Sequence, residues 1–204
     1  MGTVATSLET GIEAPSIRQD FDRWMVSEQR RVFLLCYRML QQRDEADTAV
    51  QDTFLKAFKA LNQPKPPALD DPGKWVTRIA VNTCLDRLRS RTWKFWSRRP
   101  GQEDETLILE MATSGAPDAE DRAYAREIEM RILSAIAELS PRQKAVFTLR
   151  HFEDRRLDEI AEILDVDLGT VKAHMARAVA KMRGQLKDLY FASRSREALD
   201  GESS

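Results

Sequence analysis

Cysteine is nearly absent from this chain. The two copies among 204 residues, Cys36 and Cys84, exclude a disulfide-stapled scaffold, and neither has metal-ligand spacing around it. Both fall on apolar helical stripes and read as buried free thiols in a reducing compartment. Histidine is equally scarce, with His151 and His174 the whole supply. No serine or cysteine has a plausible base nearby in sequence, and the carboxylates are spread over polar faces or the linker. A catalytic constellation cannot be assembled from such parts, so the chain reads as a non-enzyme with neither metal nor cofactor. No apolar run is long enough to cross a bilayer, and the N-terminus lacks the basic-then-apolar order of a secretion signal. The expectation is a cytoplasmic protein without membrane insertion.

A dominant charge sign is missing too. Lysine and arginine number 32 against 33 acidic residues, a net charge of -1, so bulk electrostatics do not announce a nucleic-acid binder. The charges are nonetheless segregated. Arg87, Arg89, Arg91, Lys94, Arg98 and Arg99 form a basic run, whereas Glu103, Asp104, Glu105, Glu110, Asp118, Glu120 and Asp121 form an acidic stretch with no cation among them. Local fields, not net charge, steer partners.

Strand alternation and glycine-rich phosphate loops are absent as well. What remains is helical periodicity along most of the chain. With 42% hydrophobic residues in 204, two small cores fit better than one large one. The fold class expected is all-α, two small helical domains joined by an acidic flexible linker. Residues 1–15 are polar and weakly patterned, a mobile segment. Residues 16–96 form the first domain. Its apolar stripes are Val32, Leu35, Cys36 and Met39; then Ala46, Val50, Phe54, Ala57 and Leu61; then Val76, Ala80, Cys84 and Leu88. The break Pro64-Lys65-Pro66-Pro67 ends the second helix, and Asp71-Pro72 starts the third. Residues 97–121, with Pro100, Gly101, Gly115 and Pro117, are the linker. Residues 122–190 form the second domain, and 191–204 a frayed tail.

The second domain carries the sharper signal. Ser140-Pro141 followed by Gln143 is a strong helix start: serine caps, proline fits the first helical position, and glutamine closes a capping box. A short second helix follows, with the stripe Leu157, Ile160, Ala161 and Leu164. After the turn at Asp165-Val166-Asp167, a third helix capped by Asp167 buries Val171, Met175, Ala178 and Met182. This is a helix-turn-helix, a unit that lays its last helix in the major groove of DNA. Thr170, Lys172, Ala173, Ala176 and Arg177 are left on the outward face near the helix start. Short side chains let the backbone sink into the groove, and cations reach phosphates and guanine edges. For His174 two readings stay open: contact with DNA, or cover for the flank of the core.

The third helix of the first domain has an outward stripe of Lys74, Arg78, Asn82, Asp86 and Arg89, with Trp75 at its start and Trp93 and Trp96 beyond its end. Cations interleaved with aromatic rings suit single-stranded nucleic acid, whose bases stack while its backbone is held. Trp75 taken alone reads as core; the stripe as a whole reads as functional.

These motifs resemble a known family. Asp44-Glu45-Ala46-Asp47 followed by Val50-Gln51-Asp52-Thr53-Phe54 resembles the signature by which bacterial sigma factors dock on RNA polymerase. Trp75 to Thr83, then Asp86-Arg87-Leu88, resembles the promoter-melting helix of the same domain, and Gly169-Thr170-Val171-Lys172 matches the family's region four. Order, spacing and length are similar to the extracytoplasmic-function group, which keeps only regions two and four. The resemblance implies that region two grips the clamp helices of core RNA polymerase through Asp47, Gln51, Asp52 and Phe54. It implies that Lys74, Trp75, Arg78, Asn82, Asp86 and Arg89 hold the opened minus-ten element with a flipped base. It implies that Thr170, Lys172, Ala173, His174 and Arg177 read the minus-thirty-five element as duplex promoter DNA. Further partners implied are the polymerase flap and an anti-sigma protein. The acidic linker would run through a basic polymerase channel.

Reach fits this arrangement. Two DNA turns span about 70 Å, and a linker of about 25 residues extends to roughly 80–90 Å at most. Two departures from the family pattern stand out: prolines in the loop from Asn62 to Gly73 where aromatics are common, and Asp165 where glycine is common in the turn. The strongest rival is a response-regulator-type helix-turn-helix regulator of duplex operator DNA, which also shows a Thr170-Val171-Lys172-Ala173-His174 pattern. Such a protein carries a strand-containing domain in front, whereas the first half here is all helix.

Overall fold

A computed structural model of the chain describes residues 17–18, 20–94 and 119–187. They form seven α-helices and, among the described residues, no strand: α1 Phe21–Leu40, α2 Arg43–Leu61, α3 Pro72–Lys94, α4 Ala119–Ala137, α5 Pro141–His151, α6 Leu157–Leu164 and α7 Leu168–Gln185. No helix among these residues is long and apolar enough to cross a membrane.

The first three helices close on each other because each carries one apolar stripe. Val32, Leu35, Cys36 and Met39 of α1 meet Ala46, Val50, Phe54, Ala57 and Leu61 of α2 and Val76, Ala80 and Cys84 of α3, all buried. Both cysteines are free and buried. An aromatic cluster seals the end of this bundle: Trp24 meets Phe54 edge-on at 6.1 Å and stacks against Trp75 at 6.4 Å. Local chemistry sets the boundaries. Gln41 ends α1 in a left-handed conformation, φ 56°, with its N–H donating to the Tyr37 carbonyl. Asp71 starts α3, its carboxylate accepting from the Lys74 N–H at 2.8 Å.

Helices α5 to α7 form the helix-turn-helix, with α4 packed against α7. The capping box at α5 is complete: Ser140 Oγ accepts from the Gln143 N–H, and Gln143 Oε1 accepts from the Ser140 N–H at 3.1 Å. The turn after α6 places Asp165 at φ 53° and ψ 54°, a left-handed position that aspartate tolerates better than most residues. Asp154, between α5 and α6, also takes a positive φ of 52°.

The two groups of helices do not stand apart. α3 packs on α5 and α6, and α1 packs on α5. One apolar cluster runs from Trp24 and Leu35 into Leu149, Ile160 and Val171, while a smaller one gathers Ile136, Leu139, Phe147, Ala178 and Met182 beneath α4. Where the sequence predicts two cores, the interiors of the two halves meet. The linker expectation lies mostly outside the described residues, as do residues 1–15 and 191–204. At its end α4 begins at Ala119, so residues 120 and 121 fall within that helix.

Replacing Ser140 with alanine removes the cap and should cost about 1 kcal/mol of stability, read as a lowered urea midpoint with an unchanged slope. Asparagine at this position should keep most of the stability that alanine loses, and a midpoint unmoved by alanine would show that the cap contributes nothing.

Candidate nucleic-acid interface

Burial on α3 separates a working face from a structural one. Val76, Thr77, Ala80, Val81, Cys84 and Leu85 are buried, so Arg78, Asn82, Asp86 and Arg89 are left in line on the exposed side. Two cations, an amide and a carboxylate at successive turns offer donors and acceptors to base edges along one strand. Arg89 and Asp86 form a loose, exposed pair at 3.4 Å. The start of the helix differs from expectation. Lys74 is half-buried and its ammonium is ion-paired with Glu162 of α6. Trp75 is half-buried against Trp24, so its inner face belongs to the aromatic cluster.

On α2, Asp47 and Gln51 are exposed one turn apart. Asp47 lines a shallow groove of about 310 Å³ with Arg30, Arg43 and Val26, between α1 and α2. Asp52 is half-buried and bonded to Arg87 at 2.6 Å, and Arg87 also reaches Glu45 at 3.1 Å. Burial opposes the Arg87 charge, but Asp52 and Glu45 outweigh it and raise the guanidinium's pKa. Phe54 is a correction. Only 5% exposed, it points inward on the α2 stripe and cannot meet a partner directly. Its neighbours one and four positions on do project outward: Leu55 is 50% exposed and Phe58 48%. Asp47, Gln51, Leu55 and Phe58 thus follow one another along the outer face of α2. The signal was available, because Leu55 and Phe58 are large apolar residues off the buried stripe.

The start of α7 is built by Asp167. Its carboxylate accepts from the Thr170 N–H at 2.8 Å and from the Thr170 hydroxyl at 2.5 Å, so Thr170 is committed to the cap. The hydroxyl first, then the amide, holds the Asp167 carboxyl below the usual range. Gly169 leaves room for this fold-back: a Cβ there would stand 2.9 Å from Asp167 Oδ1 and force the carboxylate to shift. Lys172, Ala176 and Arg177 are exposed on the outward face, and Ala173 is half-buried between them. His174 is half-buried, and its Nδ1 lacks a hydrogen-bond partner among the described residues. Burial, then the charges of Arg177 and Arg142, push its pKa below the ordinary histidine value. A cavity of about 620 Å³, lined mainly by Phe147, His151, Met182 and Leu186, opens between α5 and the end of α7.

Known proteins share these parts. The Sigma-70 region 2 family matches residues 25–94, and the Sigma-70, region 4 family matches residues 129–182. The ECF RNA polymerase sigma factor SigW of Bacillus subtilis is 30% identical over 164 residues, covering 78% of this chain and 84% of that protein. The RNA polymerase sigma-H factor of Pseudomonas aeruginosa is 29% identical over 167 residues, covering 79% and 83%. The fold is similar to that of the sigma factor RpoE of Bartonella quintana, solved with the anti-sigma factor NepR, at a TM-score of 0.57 and 20% identity over 83% of this chain and 98% of that one.

The Asp167 cap carries a pH signature. A depressed carboxyl pKa stabilises the fold above the unfolded value, about 3.9, and that stability is lost as pH falls through the lower folded value. Replacing Asp167 with alanine should therefore lower the melting temperature at pH 7 and flatten its dependence on pH below 4. A parallel pair of curves for the two proteins would show that the cap is not ionised as described.

Proposed function

This chain belongs to the extracytoplasmic-function sigma factors, and on that premise we propose how its helices divide the work of starting transcription. As a member of that family it is a transcription initiation factor that binds core RNA polymerase and directs it to promoters. RNA synthesis is then the chemistry of polymerase, and the cytoplasm is where the chain works.

Region two takes both the polymerase clamp and the opened minus-ten strand. The clamp helices meet the outer line of α2, with Asp47 and Gln51 as polar contacts and Leu55 and Phe58 as apolar ones. Asp52 contributes through Arg87, which fixes its carboxylate. The minus-ten strand lies along Arg78, Asn82, Asp86 and Arg89, with the outer edge of Trp75 available for stacking and Lys74 for a phosphate. Unpairing a base costs a few kcal/mol, offset by stacking and edge hydrogen bonds. Region four docks α7 in duplex DNA at the minus-thirty-five element, where Lys172, Ala173 and Arg177 reach base edges, Thr170 holds the helix start and His174 flanks the contact. The apolar cavity between α5 and α7 suits an apolar element of the polymerase flap. An anti-sigma protein is a further partner, in keeping with the complex in which the Bartonella quintana neighbour was solved.

The single observation that supports this reading best is the exposed line of Arg78, Asn82, Asp86 and Arg89 on a helix whose other face is fully committed to the core. A duplex-only regulator has no use for it. The decisive experiment is reconstituted transcription with this protein, core polymerase and a library of promoter sequences. Promoter-selective initiation is expected, and failure both to bind core and to redirect initiation would overturn the reading.

Two variants localise the contacts. Asn82→Ala should impair open-complex formation while core binding stays intact; normal opening, followed by permanganate reactivity, would remove Asn82 from the strand-binding face. Lys172→Ala and Arg177→Ala should each weaken the upstream contact by roughly 1–3 kcal/mol if a base edge is read. If only phosphates are met, the loss should be uniform across sequences and the salt dependence shallower.

A further inference from the structure

The opening turn of α7 consists of Leu168, Gly169, Thr170 and Val171, and three of these have nothing to offer a base. Gly169 has no side chain. The Thr170 hydroxyl is committed to the Asp167 carboxylate. Val171 is fully buried in the core. Leu168 is left, 39% exposed, the one large apolar side chain that α7 turns outward among the described residues. Val166, just before the cap, packs against the apolar cluster, so the chain passes from an inward to an outward apolar group across Asp167. An exposed leucine at the first position of a helix gives the fold little, because proline and acidic residues suit that position better.

Position adds a direction. Residues four apart share a row on a helix. Leu168 therefore stands in line with Lys172 and Ala176, both exposed, on the face that carries Ala173 and Arg177. A recognition helix presents its N-terminal residues to the base edges, so the side chain at the first position reaches bases rather than the flanking backbone.

Chemistry then selects the base. An isobutyl group has neither donor nor acceptor. In the major groove guanine shows two acceptors, cytosine an amino donor, and adenine an acceptor and a donor; thymine alone shows a methyl group, on C5 beside its O4. Against that methyl, leucine exchanges water for apolar contact. Against the other three edges it covers a polar group and returns no hydrogen bond, which is costly. Attraction to one base and penalty against the rest act in the same direction.

We infer that Leu168 is a specificity-determining residue of the upstream contact, its side chain meeting the 5-methyl group of one thymine in the minus-thirty-five element. This rests on the sigma-factor reading and names a base that its duplex-reading helix selects. Lys172 and Arg177 supply the polar part of that readout, and Leu168 supplies the apolar part at its leading end.

The test uses the full chain assembled with core polymerase, on a promoter taken from the library that this holoenzyme initiates from. Each thymine of the upstream element, on either strand, is replaced in turn by deoxyuridine, which removes the methyl and leaves pairing and O4 unchanged. One such replacement should weaken promoter binding about three- to fivefold, the worth of one buried methyl group. Leu168→Ala should weaken binding to the thymine promoter by a similar factor and no longer distinguish thymine from deoxyuridine at that position. Leu168→Met, which keeps an apolar reach, should retain the distinction, and the melting temperatures of both variants check that the fold is kept. Cytosine placed there should bind less well than 5-methylcytosine to the unsubstituted protein, and equally well to Leu168→Ala. Deoxyuridine without effect at every position would overturn the inference. So would a methyl effect that persists undiminished in Leu168→Ala, which would assign the methyl to Ala173 or Ala176, or a loss in Leu168→Ala that is uniform across all sequences. In each of these cases promoter-selective initiation by the unsubstituted chain leaves the sigma-factor reading standing, whereas no core binding and no selective initiation would overturn that reading itself.

Discussion

One guanidinium ties the molecule together. Arg31 leaves α1 and collects Glu28 from its own helix, the Gly73 carbonyl and Thr77 hydroxyl from the first turn of α3, and Glu153 from the far half. Burial disfavours its charge, yet Glu153 and Glu28 more than compensate and raise its pKa. A guanidinium suits the task because its donors fan out in a plane and never deprotonate. Glu153 is aimed inward by a tight turn: Asp154, next in sequence, adopts a left-handed conformation, and the Glu153 and Arg155 amides donate to the carbonyls of Thr148 and Leu149. Removing Arg31 would strand the Glu153 charge away from water, whereas Arg31 keeps Glu28 and partial contact with solvent.

Around that tie, the helices do two kinds of work. Their inner stripes close the core; their outer lines are free for partners. α2 and α3 show the division best, because each has one face wholly committed to the other and to α1. A rigid inner face fixes where the outer residues stand, so Arg78, Asn82 and Asp86 keep their spacing without help from a partner. The same holds for α7, where Asp167 anchors the start of the helix and Val171, Ala178 and Met182 hold its back. Preorganised faces of this kind lower the ordering cost of binding.

Much of this was legible in the sequence, and the boundary of legibility is physical. Periodicity reports burial, so the stripes of α1, α2 and α7, the Ser140 and Asp167 caps and the left-handed Asp165 could all be read from local pattern. Phe54 shows where a motif misleads. It fits a docking signature and a buried stripe together, and the stripe is the physical constraint, so the aromatic ring stays inside while Leu55 and Phe58 face out. Lys74 shows the other limit. Its cationic outward position was readable; its partner Glu162, distant in sequence, was not. Charge pairing across halves has no period, so neither the Arg31–Glu153 tie nor the meeting of the two interiors leaves a mark on either segment alone.

The bridge between halves is graded from an exposed rim to a buried pair. Lys74–Glu162 and Arg155–Asp71 involve partly exposed groups, and ion pairs of that kind contribute about 0–1 kcal/mol each. They are screened by salt and easily exchanged for other partners. Arg31–Glu153 lies deeper, with Glu153 almost fully covered, and the apolar contacts of Phe152, Leu149 and Ile160 sit close by. The rim pairs are therefore the weak part of the bridge and the buried carboxylate the strong part: a charge left without its partner at Glu153 would cost more than an exposed pair returns.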